Sequence, residues 1–123
     1  MLKEGLKYTS RLVVDEAHTA AMMGSGDMAV LATPAMLALM ENAAMLAVAE
    51  HLPEGATTVG GHIASSHMKP SAVGAEVSAT AELMKIEGRK LHFKVTAHEG
   101  DALIGEGTHL RFVVDRQKFL SNL

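Results

Sequence analysis

From Ala35 to Ala49 the chain reads AMLALMENAAMLAVA, apolar at every position except Glu41 and Asn42. Such a run predicts a helix that is apolar almost all round. Thr33-Pro34 opens it, with Thr33 as N-cap and Pro34 at the first helical position, where its missing N–H is not needed. Pro53 and Gly55 stop it at about Leu52. After the helix the period changes to two. Thr57 to Met68 is a strand candidate broken by Gly60-Gly61 and closed by Pro70. In Glu76 to Lys85, Val77, Ala79, Ala81 and Leu83 share one face; in Leu91 to His98, Leu91, Phe93, Val95 and Ala97 do. Those faces coincide across a hairpin only if the loop holds an odd number of residues. A three-residue loop, Glu87-Gly88-Arg89, meets that condition with Gly88 or Arg89 at positive φ. Gly100-Asp101 then turns the chain into a last strand, Leu103 to Val114. Ahead of the helix, Lys7 to Val14 has weak strand character. Glu16 to Ala32, broken at Gly24-Ser25-Gly26-Asp27, reads as loop with a short helix.

Strand, long helix, then four strands joined by short turns is an α+β arrangement. It predicts a five-stranded antiparallel sheet with the apolar helix laid across it. Ala38, Asn42, Met45 and Ala49 form a stripe of small or mildly polar residues on the side away from the bulkier ones. A monomer would leave much apolar area wet there, so a second subunit is expected to cover part of it.

At 123 residues the chain is expected to be one domain spanning residues 1–123. Its 48% hydrophobic content excludes a disordered chain. The formal net charge of −3 gives no general attraction to nucleic acid or to a membrane surface. With no Cys, disulfides, thiolate metal sites and a cysteine nucleophile are excluded, and the chain suits a reducing cytoplasm. MLKEGLKYTSR has no apolar h-region, so no secretory signal is expected. Aromatics are confined to Tyr8, Phe93, Phe112 and Phe119, too few for a base-stacking platform. The nine Met residues fill core gaps or line a site that adapts to a flexible partner.

Glu41 carries the candidate chemistry. One helical turn away lie Leu37, Ala38, Ala44 and Met45, none of which can pair with it. A carboxylate so placed is expected to be desolvated, and either finds a distant partner such as Arg111, a Lys or a His, or has its pKa raised. Thr33 has a bland role as N-cap, yet the first turn of this helix also presents N–H groups suited to an oxyanion. Thr33 and Glu41 are eight residues apart, so both can line one groove. His62 and His67 are five apart on a strand, hence on opposite faces, which argues against a shared metal. His67 sits at a strand end, where a side chain is either presented to a cleft or simply solvated. The other histidines, His109 among them, show no ligand spacing. There is no phosphate loop and no Gly-x-Ser-x-Gly elbow. One hydroxyl, one acid and one imidazole remain that could converge.

The helix with its lone acid, the strand ending His67-x-x-Pro70 followed by Gly74, and Glu87-Gly88-Arg89-Lys90 resemble the hot-dog fold acyl-CoA thioesterases. Val95-Thr96-Ala97-His98-Glu99-Gly100 and Ile104-Gly105-Glu106-Gly107-Thr108-His109 extend the resemblance, which spans Thr33 to Phe119 and points to the fluoroacetyl-CoA thioesterase branch. It implies a homodimer joined through its sheets and an acyl-CoA substrate, with no cofactor or metal. It places the catalytic hydroxyl on Thr33, the helix acid on Glu41 as nucleophile or as base for water, and the proton-moving histidine on His67. Gly60 would shape the acyl pocket and Arg111 would serve substrate binding. In the fluoroacetyl enzyme, aromatic residues between the first strand and the helix help form a lid. Here Glu16 to Ala32 has none, which implies a different, short- to medium-chain acyl group. A non-catalytic acyl-CoA-binding protein and a hydratase are alternatives on the same fold.

Overall fold

The computed structural model describes residues 1–123. A short strand β1 (Lys7–Val13) leads through a 3-10 turn (Glu16–His18) and a one-turn helix α1 (Ala20–Met23) to the long helix α2 (Thr33–Ala49). Strands β2 (Ala56–His67), β3 (Glu76–Glu87), β4 (Lys90–Glu99) and β5 (Ala102–Asp115) follow, and a short helix α3 (Arg116–Ser121) ends the chain. All five strands join in one antiparallel sheet of order β1-β3-β4-β5-β2, with α2 packed on it. The expected α+β architecture is present. Its connectivity is less local than short turns alone suggest, because β2 does not pair with β3. The connection after His67 carries the chain across the sheet, bridging Val30 to Ala72 on the way. β2 therefore pairs with β5 at the far edge and β1 with β3 at the other.

The alternating apolar faces are the core. Val77, Ala79, Ala81 and Leu83 of β3 and Leu91, Phe93, Val95 and Ala97 of β4 are all buried. Facing them are Met36, Met40, Ala43, Ala44, Ala47 and Val48 of α2. Alanines on both sides let helix and sheet approach closely, and Met and Leu fill the remaining gaps.

The β3–β4 hairpin reaches this arrangement by a different route from the one expected. Its turn has two residues, Gly88-Arg89, with Glu87 paired to Lys90 and only Gly88 at positive φ, +60°. An even loop would by itself set the two apolar faces on opposite sides. The register steps from Leu83↔Phe93 to Lys85↔His92, leaving Met84 as a bulge with its side chain exposed. Parity is restored in the strand, not in the loop.

α2 also begins and ends otherwise than expected. Ala32, extended at φ −69° and ψ 140°, is the N-cap and offers no side-chain bond; Thr33 is already helical and Pro34 follows it. The helix closes at Ala49, before Pro53 comes into play. Of its exposed side, Ala38, Asn42 and Ala49 are open to solvent and Met45 is half-buried, the stripe read from the sequence. Asn42 has a structural partner: Ser10 of β1 donates to its Oδ1 at 2.7 Å. The segment before α2 is held by Thr19↔Leu31 bridging, by the Ala20 N–H on the Val30 carbonyl (2.9 Å) and by the Ala32 N–H on the His18 carbonyl (2.8 Å). No helix is long and apolar enough to cross a membrane.

Candidate active site

At the mouth of α2 the Thr33 hydroxyl lies 2.7 Å from His67 Nδ1. This contact explains why Thr33 does not cap its helix: its oxygen is turned to the end of β2. His67 is the last residue of that strand, and its neighbour Met68 is anchored by an N–H to the Ile104 carbonyl at 2.6 Å. The partner of His67 across the ladder is Gly105. A Cβ there would stand 2.6 Å from Met36 Sδ and 2.8 Å from the Ser66 carbonyl, so only glycine lets β5 pass this close. His62 points to the opposite face, as its spacing predicts, and no group of three or more acidic or histidine side chains that could hold a metal exists.

The His67 ring is half-buried, and its Nε2 is fully buried without a hydrogen-bond partner. Burial holds its pKa below the ordinary 6.5, outweighing the opposite pull of the Lys69 backbone. The imidazole is therefore neutral at physiological pH, in the state that accepts a proton. A cavity of about 270 Å³ opens beside it, lined by Thr33, His67, Lys69 and Ser25 among others. Of the first-turn N–H groups expected to meet an oxyanion, the structure leaves one. Ala35 already donates to the Ala32 carbonyl at 3.0 Å, Pro34 has no N–H, and the Thr33 N–H has no acceptor within the chain.

Glu41 belongs to a second cluster. Its side chain is 42% exposed, so the expected desolvation of a lone acid does not hold for the single chain. The reason is geometric: Glu41 points off the flank of α2 that the sheet leaves uncovered, toward Gly60 on edge strand β2. A distant cation does serve it, since Arg111 Nη1 stands 3.9 Å from Oε2. Arg111 itself is buried, 6% exposed. Its Nε donates to Thr58 Oγ1 at 2.8 Å and its Nη2 to the Thr58 carbonyl at 3.0 Å. Nη1 lies 3.2 Å from His109 Nε2, and His109 Nδ1 lies 2.6 Å from the His62 carbonyl. Burial first, then the nearby guanidinium, pushes the His109 pKa down against the pull of the His62 carbonyl and of Glu41. Gly60 forms the floor. A Cβ on it would come to 3.0 Å from Glu41 Oε2, 3.4 Å from His109 Cε1 and 3.5 Å from Arg111 Nη1.

The structure thus brings Thr33 to His67, and Glu41 to Arg111 and Gly60, but does not bring the two groups together within one chain. Eight helical residues separate Thr33 from Glu41, about 12 Å of rise. Gly60 and His67 are separated by most of β2, roughly 20 Å of strand. His109 and Thr58, the neighbours that hold Arg111, are not among the site residues expected from the sequence. The available signal was strand periodicity: His109 and Arg111 are two apart and share a face, as do Thr58 and Gly60 on the paired strand.

Residues 14–117 match the family FlK, fluoroacetyl-CoA-specific thioesterase. A fluoroacetyl-CoA thioesterase from Streptantibioticus cattleyicolor is 42% identical over 90 residues, covering 73% of this chain and 65% of that relative's length. A solved structure of the fluoroacetyl-CoA thioesterase FlK superposes with a TM-score of 0.91 at 34% identity, covering 99% of this chain and 95% of the other. A thioesterase superfamily member from Thermus thermophilus gives 0.90 at 25% identity, with 99% and 90% covered. A hot-dog-like protein from Thermanaerovibrio acidaminovorans, 21% identical, shares the fold with a TM-score of 0.88, with 98% and 90% covered. On that match, and with one long helix in a five-stranded antiparallel sheet, the chain is a hot-dog fold protein and belongs to the fluoroacetyl-CoA-specific thioesterase family.

Proposed function

We propose that the protein is an acyl-CoA thioesterase, hydrolysing a short- to medium-chain acyl-CoA thioester to the carboxylic acid and free CoA. The observation that carries this reading is the Thr33 hydroxyl held 2.7 Å from a neutral imidazole at the mouth of the helix, in a chain of this family. A hydroxyl and a proton acceptor within hydrogen-bond reach are what acyl transfer needs. A relative 35% identical over 96% of this chain was solved, as a mutant, with fluoroacetate and CoA, which supports CoA as the carrier. The acyl group we read as other than fluoroacetyl, because Glu16 to Ala32 carries no aromatic residue to close over so small a substrate.

In this reading the thioester carbonyl lies beside the Thr33 N–H, which meets its developing charge. Thr33 orients the substrate, and His67 moves the proton. Glu41 attacks the carbonyl carbon, giving after loss of the thiolate a mixed anhydride that water hydrolyses to the acid, or takes a proton from water that attacks the carbonyl directly. The thiolate departs with little acid assistance, so the chemistry calls for no metal or cofactor. Because Glu41 sits about two helical turns from Thr33, the reading requires a homodimer: Glu41 of a second copy completes the site formed by Thr33 and His67 of the first. The exposed stripe of Ala38, Asn42 and Ala49 beside Glu41, and β2 at the sheet edge, support contact between copies there.

The test is thiol release from a panel of acyl-CoAs of increasing chain length. The folded protein is expected to turn over at least one, and Glu41→Gln to lose that turnover. Tight binding by calorimetry with no thiol released from any member would replace the hydrolase reading with that of an acyl-CoA-binding protein.

A further inference from the structure

We propose that His109 is a positioning residue: as its Nδ1–H tautomer it accepts a hydrogen bond from Arg111 and so holds that guanidinium in front of Glu41 without letting it close on the carboxylate. The use made of Glu41 rests on the thioesterase reading; the contact itself does not.

The tautomer follows from the partners. The His62 carbonyl can only accept, so Nδ1 at 2.6 Å must carry the hydrogen. Arg111 can only donate, so Nε2 at 3.2 Å must be the bare nitrogen. One neutral form of the ring satisfies both contacts, and the protonated form satisfies only one. Protonation would set an Nε2–H against the Arg111 N–H, with both residues almost wholly buried, 3% and 6% exposed. Around the ring, burial, then Arg111 from its own strand and the His62 side chain from β2 disfavour a positive charge, against the His62 carbonyl and, from beyond Arg111, Glu41 of α2, which favour one. The balance lies with the neutral ring, and the Phe93 ring of β4 lies with its centroid 6.2 Å away.

The consequence for Arg111 is that each of its three nitrogens is tethered once, which fixes the guanidinium in place and keeps its two remaining N–H groups from swinging onto Glu41. Thr58 takes Nε and Nη2, and His109 takes Nη1. An arginine left to itself closes on a carboxylate in a bidentate fork. Here the nearest approach to Glu41 is 3.9 Å, too long for a hydrogen bond. Glu41 thus receives the field of a cation while its oxygens stay uncapped, the condition for a carboxylate that must attack or take a proton.

Two measurements test this. Two-bond proton–nitrogen correlation spectra of the labelled protein, with His109→Gln to assign the signals, should show His109 as the Nδ1–H tautomer. It should stay neutral as the pH falls through 6.5, and Arg111→Met should raise its midpoint. An Nε2–H ring, or one that protonates at or above 6.5, overturns the proposal, and no substrate is needed to see it. In turnover, His109→Phe removes the Nη1 tether, lets the guanidinium swing onto Glu41 and should lower kcat roughly tenfold with little change in KM. His109→Gln, whose amide oxygen can still accept from Nη1, should recover most of that loss. Equal loss in both variants, or a loss confined to KM, contradicts the positioning role. If no acyl-CoA is hydrolysed the thioesterase reading fails while the spectra still decide the tautomer. Turnover with the wrong tautomer sinks the positioning role alone.

Discussion

At the mouth of α2, Thr33 is exposed and its partner His67 keeps a buried nitrogen with no hydrogen bond; two turns on, Glu41 is half-exposed in front of an arginine whose every nitrogen is engaged. The first cluster holds unused hydrogen-bonding capacity on a neutral base. The second holds a positive charge fixed by a tether on each of its three nitrogens. They show two ways of preparing a polar group at an apolar helix. A base is tuned by leaving it short of partners, so that burial lowers its pKa. An acid is set before a cation that the fold itself restrains.

Removing the group proposed to react from either cluster should have the largest effect. Glu41→Gln and His67→Ala are each expected to lower kcat roughly 10²-fold or more, with the fold intact by circular dichroism. Should one of them retain near wild-type turnover, that cluster is scaffolding and the symmetry between the two is broken.

A smaller contrast concerns stability. Arg111→Met strips the Thr58 hydroxyl and His109 of a buried charged donor and should cost about 2 kcal/mol by denaturant unfolding. Thr33→Val at the exposed mouth should cost under about 1 kcal/mol. Comparable losses would mean that the mouth, too, is structural.

The smallest effect is on pH. His67 and His109 are both held below 6.5 in the folded chain by burial. A base whose folded pKa is depressed binds its proton better when unfolded, so the stability it contributes is complete above 6.5 and lost as pH falls through the folded values. Turnover should show an acid limb below 6.5 for the same reason, because His67 in its proposed role must be neutral to accept a proton. In His67→Ala the residual stability loss below 6.5 should shrink to the His109 share. A profile unchanged by that substitution would assign the limb to the second cluster.

What could be read from the residues alone follows distance along the chain. The α2 run, the alternating faces of β3 and β4 and the opposed His62 and His67 are local periodicities, and each survives in the fold. Met84 does not announce itself. Loop parity can be corrected by the loop or by a bulge, and packing of both faces onto α2 decides which. Thr33 was legible as a helix-start residue, but its choice of His67 over its own backbone depends on where β2 ends, 34 residues later. The exposure of Glu41 was hidden for a similar reason: its neighbours on α2 are apolar, yet which flank the sheet covers is a matter of tertiary placement. His109 was the hardest to see. Its one local signal is Arg111, two residues on and on the same face, but the contacts that give that pairing meaning are a carbonyl 47 residues from His109 and Thr58, 53 residues from Arg111.

The proposed joining of the two clusters across copies is tested most directly by mixing Glu41→Gln with His67→Ala chains, unfolding and refolding them together, and measuring thiol release. A mixed dimer carries one site with both substitutions and one with neither. Statistical mixing should then restore about a quarter of the wild-type turnover from two inactive parents. A mixture as inactive as its parents would contradict the account.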